Sequence, residues 1–188
     1  MGKIVVTEFI TIDGVVEEPS EWSFPYWGDD IGAHKHGELL TCGAMLLGRV
    51  TYEGFAEAWP ERSDDFADRM NNSPKRVVSR TLTDLKWSNS SLIDADPTAI
   101  AALRDEVDGD VLVFGSVTLV RWLLEHHLVD ELKLLTYPLA LGEGLRLFAD
   151  GATVPLDLIG ITTFASGAVS LRYRPLAERP APVPHLYS

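Results

Sequence analysis

Short apolar or β-branched runs, each closed by glycine or a polar turn and followed by a stretch of helical spacing, recur along this chain of 188 residues. That alternation constrains its fold more than any other feature. Residues 3–12 (KIVVTEFITI) are β-branched and aromatic and read as a strand, stopped by Asp13-Gly14. AMLLG (44–48) and DVLVF (110–114) are apolar throughout, the pattern of strands covered on both faces. Strands are also expected at 75–79 and 130–137, and residues 156–164 and 168–174 read as a hairpin around Ser166-Gly167. Helices are expected over 29–41, from Arg49 to just before Pro60, over 64–70, from Asp96-Pro97 to about Glu106, and over 117–125. Strands alternating with helices predict an α/β fold with a mainly parallel sheet covered on both faces. The late hairpin adds antiparallel strands at one edge. A single domain over residues 1–175 is expected, followed by a proline-rich, poorly ordered tail over 176–188.

Composition removes several function classes. No stretch approaches the ~20 continuous apolar residues of a membrane span. The start, MGKIVVTEF, has neither a long apolar run nor a small-residue cleavage site, so no secretory signal is expected and a cytoplasmic location is. The one cysteine, Cys42, cannot form an internal disulfide or a cysteine-based zinc cluster, and within its apolar run it reads as a small hydrophobe. The net charge of −12 repels polyphosphate, so neither nucleic acid nor an anionic membrane is an expected partner. A phosphorylated cofactor remains compatible if arginines and helix starts gather locally. His34 and His36 face apart on a helix, and His126-His127 at a helix end complements the dipole, so no metal site is expected.

In parallel α/β sheets ligands sit at the carboxyl ends of strands, against helix N-termini, so the strand-to-helix turns carry the functional reading. Gly48-Arg49-Val50-Thr51 offers close backbone approach, a bidentate phosphate partner and a hydroxyl at a helix start. Gly115-Ser116-Val117-Thr118 follows a buried strand and suits a pyrophosphate cradle. Ser79-Arg80 ends the strand between them in sequence. Arg49 and Arg80, at neighbouring strand ends, together suit the 2′-phosphate that separates NADPH from NADH.

The segments LLGRVTYEGF, VVSRTL and VFGSVTLVRWLL, in that order, resemble the three cofactor-binding segments of dihydrofolate reductases. They are more similar still to the reductase domain of bifunctional riboflavin-biosynthesis deaminase-reductases and its stand-alone relatives. TIDGVVEEP resembles the first-strand segment of those relatives, and DELKLLTYPLALGEGLRLF their late strand and loop, so the resemblance spans residues 3–174. It implies a dihydrofolate-reductase-like three-layer fold with NADPH as cofactor. Gly48, Arg49, Val50 and Thr51 would lie on the 2′-phosphate and pyrophosphate side, Ser79 and Arg80 would flank the 2′-phosphate, and Gly115, Ser116, Val117 and Thr118 would contact the pyrophosphate. Dihydrofolate reductases carry a run of glycines at this last place; here only Gly115 is glycine, which fits the stand-alone relatives. Relatives pair through late strands, so a homodimer using the apolar run Leu132 to Leu141 is expected.

In dihydrofolate reductases one acid, on a helix after a tryptophan-containing loop, orients the substrate. Here Trp27 precedes Asp29 and Asp30, and Asp30 is taken as that candidate, although adjacent acids at a helix start serve equally as dipole partners. Asp13 is the second catalytic candidate, from the segment lying near substrate and nicotinamide in the riboflavin-type relatives; a turn-forming Asp-Gly explains it equally. Glu8, Glu17 and Glu18 are less specific. Trp22, Phe24 and Trp27 read as a pocket wall for a flat heterocycle. A zinc deaminase half is excluded, because one cysteine cannot supply its paired-cysteine segment. Residues 13–30 hold no Lys or Arg, which counts against a phosphorylated pyrimidine substrate. The expected function is an NADPH-dependent reductase of a small pterin- or pyrimidine-like heterocycle or carbonyl compound. The alternative is a non-catalytic dimeric nucleotide- or flavin-binding protein of the same fold.

Overall fold

A computed structural model describes residues 2–178; the greater part of the expected tail, from 179 on, lies outside the described residues. Along the chain come β1 (Ile4–Thr11), α1 (Pro19–Trp22), α2 (Asp29–Leu40), β2 (Cys42–Gly48), α3 (Arg49–Ala58), α4 (Asp65–Asn72), β3 (Lys75–Val78) and β4 (Ser90–Ile93). They are followed by α5 (Pro97–Glu106), β5 (Asp110–Phe114), α6 (Val117–Glu125), β6 (Glu131–Tyr137), β7 (Leu156–Thr163) and β8 (Val169–Pro175). The strands form one sheet in the order β4-β3-β2-β5-β1-β6-β8-β7. The first six run parallel, and the β7–β8 hairpin closes the β6 edge antiparallel.

Side-chain alternation along the strands makes the three layers. Ile4, Val6 and Ile10 of β1 join Leu46, Val111 and Val113 in a core completed by Ile100 and Leu103 of α5 and Leu119, Val120 and Leu123 of α6. The opposite parity, with Val5, Met45, Leu47, Val77 and Leu112, packs against Leu39 of α2, Tyr52 of α3 and Met70 of α4. Central strands covered twice need apolar residues at every position, which is why AMLLG and DVLVF read so plainly. Full burial of each such side chain contributes about 1.5–3 kcal/mol.

Helix starts divide into two kinds. Asp64 accepts the Ala67 amide at 2.8 Å, and Asp96 accepts the Ala99 amide at 2.8 Å, so α4 and α5 carry side-chain caps. The first residues of α3 and α6 receive no side-chain cap.

The expected interface on the apolar run from Leu132 is corrected by the sheet order. β6 lies between β1 and β8, and Leu132, Leu134 and Leu135 are buried in the monomer. The apolar side chains left exposed beyond that edge are Leu158 and Ile161 of β7.

Candidate functional site

Because six neighbouring strands run parallel, their carboxyl ends share one edge of the sheet, and α3 and α6 begin there. β2 and β3 are paired up to Gly48 opposite Val78, which sets Arg49 and Arg80 at adjacent strand ends. The two glycine turns are laced together. The Gly48 amide donates to Ser116 Oγ at 2.9 Å, the Ser116 amide donates to Thr51 Oγ1 at 2.9 Å, and the Ser116 hydroxyl donates to the Phe114 carbonyl at 3.0 Å. The hydroxyls of Thr51 and Ser116 therefore brace one turn against the other. What the turns present outward is backbone N–H at two uncapped helix starts.

Gly115 is needed where it stands, whereas Gly48, in extended backbone, leaves room for an ordinary contact. A Cβ on Gly48 would lie 3.4 Å from the Ser116 side chain, and one on Gly115 would lie 3.1 Å from Thr51 Oγ1. Gly115 has φ +52, and Ser116 follows at φ +60, a conformation costing a non-glycine residue roughly 1–3 kcal/mol. The Ser116 hydroxyl, used twice in the brace, offsets that strain.

Arg49 lies at the mouth, paired with Glu53 at 2.8 Å with both side chains about half exposed (47% each). Such a surface pair is worth about 0–1 kcal/mol, so a phosphate can displace it. Arg80 is exposed, and Ser79 Oγ accepts the Thr81 and Leu82 amides at 3.2 and 3.0 Å, shaping the turn that carries Arg80. Val50 is exposed, while Val117 and Thr118 open α6.

The two acids singled out from the sequence have structural partners. Asp13 Oδ1 takes the Thr11 hydroxyl and the Leu141 amide, and Oδ2 takes the Gly142 amide at 2.8 Å. These bonds, that of Thr11 foremost, hold its carboxyl down at about 2. Asp30 accepts the Ala165 amide at 2.9 Å and the Ile31 amide at 2.8 Å, tying the start of α2 to the tip of the β7–β8 hairpin. The Ala165 bond, then the Ile31 bond, lowers its pKa too. Both acids are thus set up to stay ionised.

The three aromatic residues proposed for a pocket wall separate in the structure. Trp22 is buried, edge-on to Tyr137 at 5.4 Å, with its indole N–H given to the Glu17 carbonyl at 2.9 Å. Trp27 is partly exposed and tilts against Phe9 at 5.9 Å, whereas Phe24 is 66% exposed. Trp27 and Phe9 are the rings that stay together, the latter also lying under the Lys35 ammonium at 5.4 Å.

Sequence reasoning passed over a buried polar group next to this wall. Lys35 donates to Thr7 Oγ1 and Glu38 Oε2, the Thr7 hydroxyl bonds the same Glu38 oxygen at 2.9 Å, and His34 approaches Glu38 Oε1 at 3.3 Å. Burial would raise the Glu38 carboxyl, but Lys35 and the hydrogen bonds from His34 and Lys35 bring it down to about 2. Close by, Glu8 is buried (4% exposed) and its Oε1 has no hydrogen-bond partner. The signal for Glu8 was parity: Ile4, Val6, Glu8 and Ile10 share one face of β1, and that face is core.

Among the described residues no group of His, Cys, Asp or Glu converges as metal ligands would, and no helix is long and apolar enough to cross a membrane. A separate concavity of about 770 Å³ lies at the opposite, amino-terminal edge of the sheet, lined by Lys3, Arg121, Glu131 and Arg174 among others.

Similarities to known proteins agree with this geometry. The chain is 25% identical over 178 residues to YyaP of Bacillus subtilis (strain 168), covering 91% of this chain and 94% of that protein. A Shewanella sp. PV-4 protein provisionally assigned to riboflavin biosynthesis superposes with a TM-score of 0.76 at 16% identity, over 93% of this chain and 99% of that one. Dihydrofolate reductase from Enterococcus faecalis, solved with NADP(H), superposes with a TM-score of 0.60 at 17% identity, over 93% and 96%. The fold is therefore the dihydrofolate-reductase-like α/β fold. Residues 2–170 match the model of the RibD C-terminal domain, and the chain belongs to that family of reductase domains.

Proposed function

We propose that the chain is an NADPH-dependent reductase that reduces a small heterocyclic or carbonyl substrate. The observation that carries this reading is the pair of interlocked glycine turns at the carboxyl edge. Two uncapped helix starts meet there, a Cβ at Gly115 would crowd the opposite turn, and two arginines flank them. These features fit a dinucleotide. The amides opening α3 and α6 would hold the pyrophosphate, and Arg49 and Arg80 the 2′-phosphate. The cofactor would supply a hydride; the chain's part is to hold it, orient the substrate and exclude water. Trp27 and Phe9 offer a flat ring a stacking surface beside the strand ends. Lys35, which lies over the Phe9 ring, is buried and already paired with Glu38, which favours a substrate without a phosphate.

A homodimer in the cytoplasm remains our expectation, with the β7 edge and its exposed Leu158 and Ile161 as the interface in place of β6.

Titration with NADPH and NADH, comparing the wild type with Arg49→Ala, tests the cofactor reading. Losing one charged phosphate contact should weaken NADPH by about tenfold to a hundredfold, 1.5–3 kcal/mol, and leave NADH nearly unchanged. Failure of both nucleotides to bind the wild type overturns the reading.

A further inference from the structure

β1 and β5 stay paired only as far as Thr7 opposite Phe114, whereas β1 and β6 continue to Thr11 opposite Tyr137. From Glu8 onward, β1 therefore has a neighbouring strand on one side only. On the other side Gly115 and Ser116 peel away into α6, opening a slit in the sheet at the cofactor turns. Glu8 is the first residue past the split. Its side chain is buried, the Gly115 amide lies towards it and favours its ionised form, and Oε1 meets no donor. An unpartnered buried carboxyl oxygen is costly, more so if charged, so a protein keeps one where a ligand or a proton completes it.

We propose that Glu8 holds the proton of the reaction, staying neutral beside the reduced nicotinamide and giving that proton up when the ring becomes cationic. This rests on the NADPH reading above. During reduction, two electrons and a hydrogen pass from the dihydronicotinamide carbon to the carbon of a C=N or C=O bond, and Glu8 gives its proton to the heteroatom of that bond. The carboxylate left behind would be offset by the positive charge of the oxidised ring, and solvent would return the proton in the next cycle. Burial pushes the Glu8 carboxyl up to about 8, with Lys35 and the Gly115 amide opposing. A neutral acid is therefore the resting form near pH 7, and a second positive charge is what it lacks to ionise. Lys35 acts on it by its charge from the opposite face of β1, where Lys35, Glu38 and His34 gather on Thr7.

The test needs no substrate. Protons exchanged on binding NADP+ and NADPH are counted calorimetrically at pH 7 in buffers of different ionisation enthalpy. The 2′-phosphate contributes equally to both nucleotides, so their difference isolates groups that sense the ring. The wild type should release up to one proton more with NADP+ than with NADPH, and its NADP+ affinity should rise with pH, by at most tenfold per unit, until about pH 8. Glu8→Gln should bind both nucleotides with the difference abolished, and His34→Gln should retain it. If Glu8→Gln does not fold, Glu8→Met, of similar volume and without a charge, takes its place. A proton difference absent from the wild type, or persisting in the Glu8 variant, overturns this inference and leaves the cofactor reading standing. Failure of both nucleotides to bind the wild type overturns both.

Discussion

Helices α5 and α6 both begin where a parallel strand ends, yet their first turns are finished differently. At α5 the Asp96 carboxylate accepts the Ala99 amide, and Pro97 removes another donor; the end is satisfied and inert. At α6 the residue in that place, Ser116, turns its hydroxyl back to Gly48 and Phe114 and is held in a left-handed conformation. Towards the Gly115 amide just before α6 lies Glu8, which is buried and lacks a partner on one oxygen. One helix start is closed by the protein itself. The other is kept open at a cost in strain and desolvation, and unspent hydrogen-bonding capacity of this kind marks a binding site more reliably than any glycine count.

Three experiments probe this contrast, from the largest expected effect to the smallest. Glu8 binds its proton more tightly folded than unfolded, so its contribution is complete below about pH 4.5 and is lost as pH rises to about 8. Glu8→Gln, which cannot ionise, should gain stability over the wild type across that window, on the order of 3 kcal/mol at pH 7, read by denaturant titration at pH 4.5 and 7. An equal stability difference at both pH values would show that Glu8 is ionised in the folded protein. Next, Ser116→Asp gives α6 the kind of cap that α5 has. Aspartate tolerates positive φ and its oxygen can still take the Gly48 amide, but it cannot donate to the Phe114 carbonyl, so the melting temperature should hold or fall slightly. NADPH binding should fall about a hundredfold, near 2.7 kcal/mol, because a carboxylate then occupies the phosphate position; unchanged affinity would place the phosphates elsewhere. Last, Asp96→Ala should cost about 1 kcal/mol of stability and leave nucleotide binding untouched. A loss of binding there would mean that the two helix starts are not independent.

Much of the fold was legible because its signals are local. Asp96-Pro97 announces a helix start through two neighbouring residues, and a doubly covered strand such as DVLVF needs no knowledge of its partners. The glycine turns were legible for the same reason. The strand order was not, since pairing is set by packing between segments far apart in sequence; that is why the apolar residues of β6 read as an interface when β8 covers that edge. Asp13 and Asp30 drew notice by sequence position, and their partners, Gly142 and Ala165, lie more than a hundred residues away. Glu8 was readable in part. A glutamate in phase with Ile4, Val6 and Ile10 is anomalous on a core face, but the slit beside it follows only from where β5 stops pairing.

The loop after β1 is sewn to the loop after β6. Val15 bridges Arg146, the Val16 amide donates to Leu145 and the Leu147 amide to Gly14, at 2.9 Å each, and the Asp13 and Glu17 carboxylates take further amides from the same loop. In terms of time, these bonds must break together, so this wall yields only in rare concerted openings, far slower than side-chain rotation. At the neighbouring edge the exposed Phe24 ring belongs to the fast scale of side-chain rotation, in contrast to this sewn wall.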